Sequence, residues 1–192
     1  RRAPAASTPR EAHRSWFADH LMLHSQLRAQ RRLESVFNSQ IKSNLGGINM
    51  TDFYLKIGDT TSFTKTVSES DVYQFAGITG DFSPNHVNKA YMEKSSYGRL
   101  MAHGALIVGF MSTVSTQIIA HSREAEETPV SVGYDKVRFL KPVFLGDTIT
   151  VAYTVSEIDV VRRRSTAGIE VTNQNDELVA VASHILQWVP NN

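Results

Sequence analysis

Residues Met101–Ala120 read MAHGALIVGFMSTVSTQIIA, and this run decides what kind of fold the chain can make. At 1.5 Å per residue it forms a helix about 30 Å long. Leu106, Val108, Phe110, Met111, Val114, Ile118 and Ile119 cover nearly its whole circumference, which predicts a helix buried on all sides. Gly104, Ala105, Gly109, Ser112 and Ser115 are small enough to let a sheet approach the helix axis. The run is long enough to cross a bilayer, but His103, Ser112, Thr113, Ser115, Thr116 and Gln117 interrupt it, so it reads as a core helix. Such a helix needs a sheet wrapped around it.

The sequence on its C-terminal side supplies one. Val130–Phe139, Thr148–Ile158, Ser165–Thr172 and Leu178–Trp188 are rich in β-branched residues and read as strands. The links between them, Pro142 to Asp147, Arg162–Arg164 and Asn173–Asp176, are short and predict an antiparallel meander. On the N-terminal side, Phe63–Val67 alternates as a strand. Ser68 then caps a helix with Val72, Phe75, Ala76 and Thr79 on one face. A short helix is expected near Asn88–Lys94, followed by the polar loop Ser95–Gly98. The order β–α–α–β–β–β–β makes an α+β domain, expected over residues 50–192.

The chemistry collects just before the long helix, in GDFSPNHVNKAYMEKSSYGRLMAHG (Gly80–Gly104). Asp81 and His86 stand five residues apart in a loop stiffened by Pro84, a spacing that lets a carboxylate and an imidazole converge on one water or one substrate proton. Gly104 falls at the amino end of the helix, where unsatisfied N–H groups and the helix dipole favour a developing negative charge. Close packing that admits only glycine explains the same residue, and the two readings are compatible. Ser83 and Asn85 orient the loop or line the pocket, and His103 is placed for a cap or a supporting hydrogen bond. His86 and His103 have no third ligand at convincing sequence spacing, so no metal is expected.

Thr79-Gly80-Asp81-Phe82-Ser83-Pro84-Asn85-His86, followed by His103-Gly104, resembles the signature of the MaoC-like dehydratases, the (R)-specific (type 2) enoyl-CoA hydratases. The string Val137–Thr148 is similar to a strand-turn-strand of that family. The resemblance covers about 130 residues, from near Ile57 to Trp188. It departs from the usual pattern at Ser83, where Asn is commoner, and at Asn85, where an aliphatic residue is commoner. It implies a hot-dog fold, in which an antiparallel sheet wraps a long central helix. It also implies a homodimer or a dimer of dimers, with sheets joined edge to edge.

The resemblance further implies a coenzyme A thioester as substrate, no cofactor, and addition of water across a 2-enoyl double bond in fatty acid metabolism. Asp81 and His86 would hold the water, and Gly104 would serve the oxyanion. Ser83, Asn85 and His103 would be the binding residues. Sequence does not distinguish which of Asp81 and His86 takes the proton, because a coupled pair titrates as a unit. Two rivals stay open: a hot-dog thioesterase, and a non-catalytic subunit that binds acyl thioesters.

Composition sets the remaining bounds. In 192 residues, 41% of them hydrophobic, there is chain enough for one full core. The formal net charge of +1 argues against a dedicated nucleic-acid binder. Without cysteine there is no thiolate nucleophile, no disulfide framework and no cysteine metal site. The Arg162–Arg164 run reads as a solvated hairpin, with attraction of coenzyme A phosphates as the alternative. No Gly-rich phosphate loop and no Gly-x-Ser-x-Gly elbow appears.

Residues 1–49 differ in character, with eight Lys+Arg against three Asp+Glu. Thr8-Pro9-Arg10-Glu11 starts an expected helix with Trp16, His20, Leu23 and Leu27 on one face, and Ser43–Gly47 reads as a linker. A mitochondrial targeting segment, a docking helix, or an extension upstream of Met50 all fit these residues. The cytoplasm is the expected compartment, with the mitochondrial matrix as the alternative if the segment is a targeting one.

Overall fold

The computed structural model of the chain describes residues 53–120 and 126–191. The helix and linker expected in residues 1–49, and the boundary expected at residue 50, lie outside them. The elements are β1 (Thr60–Thr66), α1 (Glu69–Thr79), α2 (Pro84–Val87), α3 (Lys89–Met92), α4 (Gly104–Ile118), β2 (Glu127–Phe139), β3 (Thr148–Asp159), β4 (Arg164–Thr172) and β5 (Leu178–Pro190). The α+β class expected from the sequence is the one observed.

The five strands make one antiparallel sheet in the order β1-β3-β4-β5-β2. Strands β3, β4 and β5 form the meander expected of them, but β2 and β3 are not neighbours. Their connection, residues 140–147, crosses from one edge of the sheet to the other side, so the simple four-stranded meander is corrected. The reason lies in the connection itself: its backbone bonds elsewhere instead of closing a hairpin. Val143 carbonyl accepts from Ala102 N–H at 2.8 Å, Leu145 N–H donates to Leu100 at 3.3 Å, and Gly146 N–H donates to Val67 at 2.8 Å.

One face of the sheet is apolar because β-strand side chains alternate. Ile149, Val151, Tyr153 and Val155 of β3, Ala167, Ile169 and Val171 of β4, and Ala182, Leu186 and Trp188 of β5 are all buried. They pack with Leu106, Ile107, Met111, Val114 and Ile118 of α4 in one core. On the other face, threonine hydroxyls pair across β1 and β3: Thr64 with Thr150 at 3.0 Å and Thr66 with Thr148 at 2.7 Å. Helix α4 is not buried on all sides. Ala105, Gly109, Ser112 and Thr116, spaced four, three and four apart, form an open strip. The sheet of a single chain covers only one side of the helix.

His184 is fully buried in the core. Its Nδ1 lies 3.1 Å from the Tyr153 hydroxyl and its Nε2 2.8 Å from the Ser131 hydroxyl, while the Tyr134 ring packs 4.5 Å away. Burial lowers its pKa to about 4, so it is neutral at pH 7.

Candidate active site

Helix α1 delivers the chain to the site. Its start is a full capping box between Ser68 and Asp71, and its end is Gly80 in the left-handed conformation (φ 78°), whose N–H returns to Ala76. That turn points the next residue, Asp81, out of the helix direction. Its carboxylate folds back to accept the Ser83 N–H at 3.2 Å, an Asx turn that leads into Pro84. Pro84 then opens α2, its fixed φ suiting a first helical position.

The far side of the site is placed by residues 100–103, stitched to the crossover. Ala102 and Leu100 bond Val143 and Leu145, and Met101 bridges to Phe144. This short ribbon ends at His103, the N-cap of α4. Two hydrogen bonds tie it to α2: Met101 N–H donates to Asn85 carbonyl at 3.0 Å, and His86 Nδ1 to Met101 carbonyl at 2.8 Å.

Those bonds fix the tautomers. A carbonyl only accepts, so Nδ1 of His86 carries a proton, and in the neutral ring the lone pair is on Nε2. Asn85 Nδ2 approaches that nitrogen to 3.2 Å, and the Ser83 hydroxyl bonds the other end of the same amide at 2.5 Å. His103 makes the reverse link, its Nε2 donating to the Asp81 carbonyl at 2.9 Å. Its Nδ1 is buried with no partner among the described residues. The His86 and His103 rings stack with centroids 3.7 Å apart, and Phe75 closes the other side of His103 at 4.9 Å.

A cavity of about 470 Å³ opens above His86. Asn85, His86 and Gly104 line it, joined by Tyr97, Phe139 and Lys141. Asp81, Ser83 and His103 do not line it. The Asp81 side chain is 53% exposed, Ser83 stands behind Asn85, and His103 is buried beneath His86. Phe139 lies against Gly104 so tightly that a Cβ there would come within 2.6 Å of its ring. The first N–H groups of α4, Gly104's among them, have no partner within the helix.

Asp81, His86 and His103 each offer one donor atom within 4.8 Å of the others. The fold thus supplies the third metal-ligand type that sequence spacing did not. The donor geometry is nonetheless poor for an ion, because a metal sits in the plane of each imidazole and stacked rings cannot both point edge-on at one centre. The same spacing suits a single water held between Asp81 and His86.

Tyr97, Phe139 and Lys141 were not expected at the site. They arrive through the loop after α3 and through a bulge in β2, where Lys136 takes a positive φ of 53° and the register with β5 slips between Asp135 and Arg138. Arg163, by contrast, is committed to structure. It pairs with Glu127 and its guanidinium stacks on Phe53 at 5.0 Å. Its hairpin is at the opposite end of the sheet: Arg164 pairs with Gln187, Val171 with the cavity residue Ala180. Seven residues of strand separate them, about 23 Å.

The model of the MaoC-like domain matches residues 54–177. An (R)-specific enoyl-CoA hydratase of Rhodospirillum rubrum is 37% identical over 102 residues, which cover 53% of this chain and 67% of the relative. A 3-hydroxybutyryl-CoA dehydratase of Methylorubrum extorquens is 32% identical over 133 residues, covering 66% of this chain and 81% of the relative. The solved structure of an (R)-hydratase from A. caviae superposes with a TM-score of 0.62 over 69% of this chain and 96% of the other, at 22% identity. At that identity the likeness is one of fold, and the fold is the hot-dog fold.

Proposed function

The chain belongs to the MaoC-like domain family, and from that membership we propose that it reversibly hydrates a (2E)-enoyl-CoA to a (3R)-3-hydroxyacyl-CoA. The observation that carries the proposal is the placing of the Asp81 carboxylate and the His86 imidazole within 4.8 Å of each other, beside a cavity that reaches Gly104 at the start of α4. Two relatives at 37% and 32% identity bear the names of an (R)-specific enoyl-CoA hydratase and a 3-hydroxybutyryl-CoA dehydratase.

In this reaction a water bridging Asp81 and His86 loses a proton as its oxygen bonds to Cβ of the enoyl chain. The electron pair of the double bond moves onto the thioester oxygen, where Gly104 N–H meets the negative charge. Return of the proton to Cα completes the addition. Nε2 of His86, which faces the Asn85 amide, is the nitrogen for that traffic, since Nδ1 is held by Met101. The chain's own residues supply every step, so no cofactor enters.

A homodimer is part of the same proposal. Strand β2 is a sheet edge exposing Val130, Val132 and Phe139, and the strip Ala105–Thr116 of α4 stands open beside the core. Among the described residues no helix is long and apolar enough to cross a membrane.

The test is the ultraviolet absorbance of crotonyl-CoA and of a longer 2-enoyl-CoA. Loss of the conjugated band without thiol release, giving the (3R) alcohol, supports the hydratase. Loss with free thiol replaces it by the thioesterase, and binding without turnover replaces it by the non-catalytic subunit.

A further inference from the structure

We infer that Ser83 and Asn85 form a two-state hydrogen-bond relay that follows the proton on His86. The inference rests on the reading that His86 takes and returns a proton during turnover.

His86 can change protonation only at Nε2, because Nδ1 donates to the Met101 carbonyl in either state. The group facing Nε2 is the amide of Asn85, with Nδ2 at 3.2 Å. An N–H directed at a lone pair suits the neutral ring. Once Nε2 is protonated, the same arrangement sets donor against donor. Half a turn of the amide about χ2 repairs it, bringing Oδ1 to the nitrogen in place of Nδ2. That terminal torsion is broad and two-fold, so the turn needs beyond itself only a re-aimed Ser83 hydroxyl and about a few tenths of an ångström of give at its 2.5 Å contact.

The far end of the amide must then tolerate the opposite exchange, and Ser83 is built for it. Its hydroxyl lies 2.5 Å from Asn85 Oδ1. A hydroxyl both donates and accepts. It gives its proton to Oδ1 when Nδ2 faces His86, and accepts from Nδ2 when Oδ1 faces His86. A side chain that only donates or only accepts serves one state alone.

The backbone holds everything except the amide plane. Asn85 carbonyl accepts Met101 N–H at 3.0 Å, Ser83 carbonyl accepts His86 N–H at 2.9 Å, and Ser83 N–H is held by Asp81. The other titratable groups around His86 are the Asp81 carboxylate, the stacked His103 ring, and Tyr97 and Lys141 in the cavity wall. None of these bonds the Asn85 amide. Asn85 and Ser83 are thus positioning residues, and Ser83 acts only through Asn85.

The experiment follows the Asn85 side-chain amide signals of the full chain in a ¹⁵N–¹H spectrum between about pH 8 and about pH 5, the range in which imidazoles ordinarily gain a proton. The relay requires the pair to move with the His86 ring signals, and to stay still in His86→Gln. Kinetics supply the second arm. Asn85→Val and Ser83→Ala should each lower kcat about tenfold with KM within about twofold, and the double variant should be no worse than Asn85→Val, as for residues that act as one unit. Amide signals that stay still while the His86 ring titrates, or losses that multiply in the double variant, overturn the relay. Moving amide signals in a protein that turns over no enoyl thioester overturn the hydratase reading and leave the relay standing.

Discussion

His86 and His103 clasp each other's backbones. His86 donates to the carbonyl of Met101, two residues before His103, and His103 donates to the carbonyl of Asp81, five residues before His86, while the two rings lie stacked 3.7 Å apart. This crossed pair is what holds the loop after α1 against the start of α4. Asp81, His86 and the helix end would otherwise belong to separate segments of chain.

His103→Phe keeps a flat ring for the stack and removes the bond to Asp81. Loss of one such bond costs about 1 kcal/mol of stability. The effect on turnover should be larger, about tenfold or more in kcat, because a displacement near 1 Å in reacting groups is expensive. Urea unfolding and steady-state kinetics on the same samples separate the two. A stability loss with unchanged kcat would show that the clasp does not position the site.

Gly104 serves close packing and, in the proposed function, the oxyanion. Gly104→Ala leaves the N–H in place but drives a methyl group to within 2.6 Å of Phe139, so activity should fall roughly a hundredfold if the ring or the helix end shifts. Phe139→Ala added to Gly104→Ala should restore most of kcat. If the double variant stays as slow as Gly104→Ala, the clash with Phe139 is not the cause.

His184 makes folding sensitive to acid. Its pKa is lowered to about 4 by burial, against 6.5 for an ordinary imidazole. Between these values the unfolded chain binds a proton that the folded chain does not, so stability falls as pH drops from about 6.5 toward 4. The full loss is on the order of 3 kcal/mol. Urea midpoints at about pH 7 and pH 4.5 should differ more for the parent than for His184→Gln. Equal acid losses in the two proteins would rule His184 out as the cause.

The fold was legible where periodicity carries it. The run at Met101–Ala120 marked the long core helix, alternation marked β1, and β-branched residues marked the other four strands. Strand order was not legible, because the crossing at residues 140–147 depends on tertiary hydrogen bonds from Ala102, Leu100 and Val67 to a segment that reads locally as a turn. The open strip on α4 was missed for a similar reason: Ala105, Gly109 and Ser112 are small, and smallness fits close packing as well as exposure. Asp81 and His86 suited acid/base chemistry by residue type and spacing, but it was the family resemblance of the whole Gly80–Gly104 string that singled them out. Phe139 and Lys141 had no such signal, since a bulge at Lys136 sets the direction of the strand end that carries them.

The central claim is that Asp81 and His86 share one proton-transfer site. The most direct test is kcat for crotonyl-CoA hydration in the parent, Asp81→Asn and His86→Gln, each checked for folding by circular dichroism. Both variants should lose about 10²- to 10⁴-fold in kcat, and the double variant should lose little more than either alone, as expected of groups that act together. A folded Asp81→Asn or His86→Gln that keeps near-parental kcat would contradict the account.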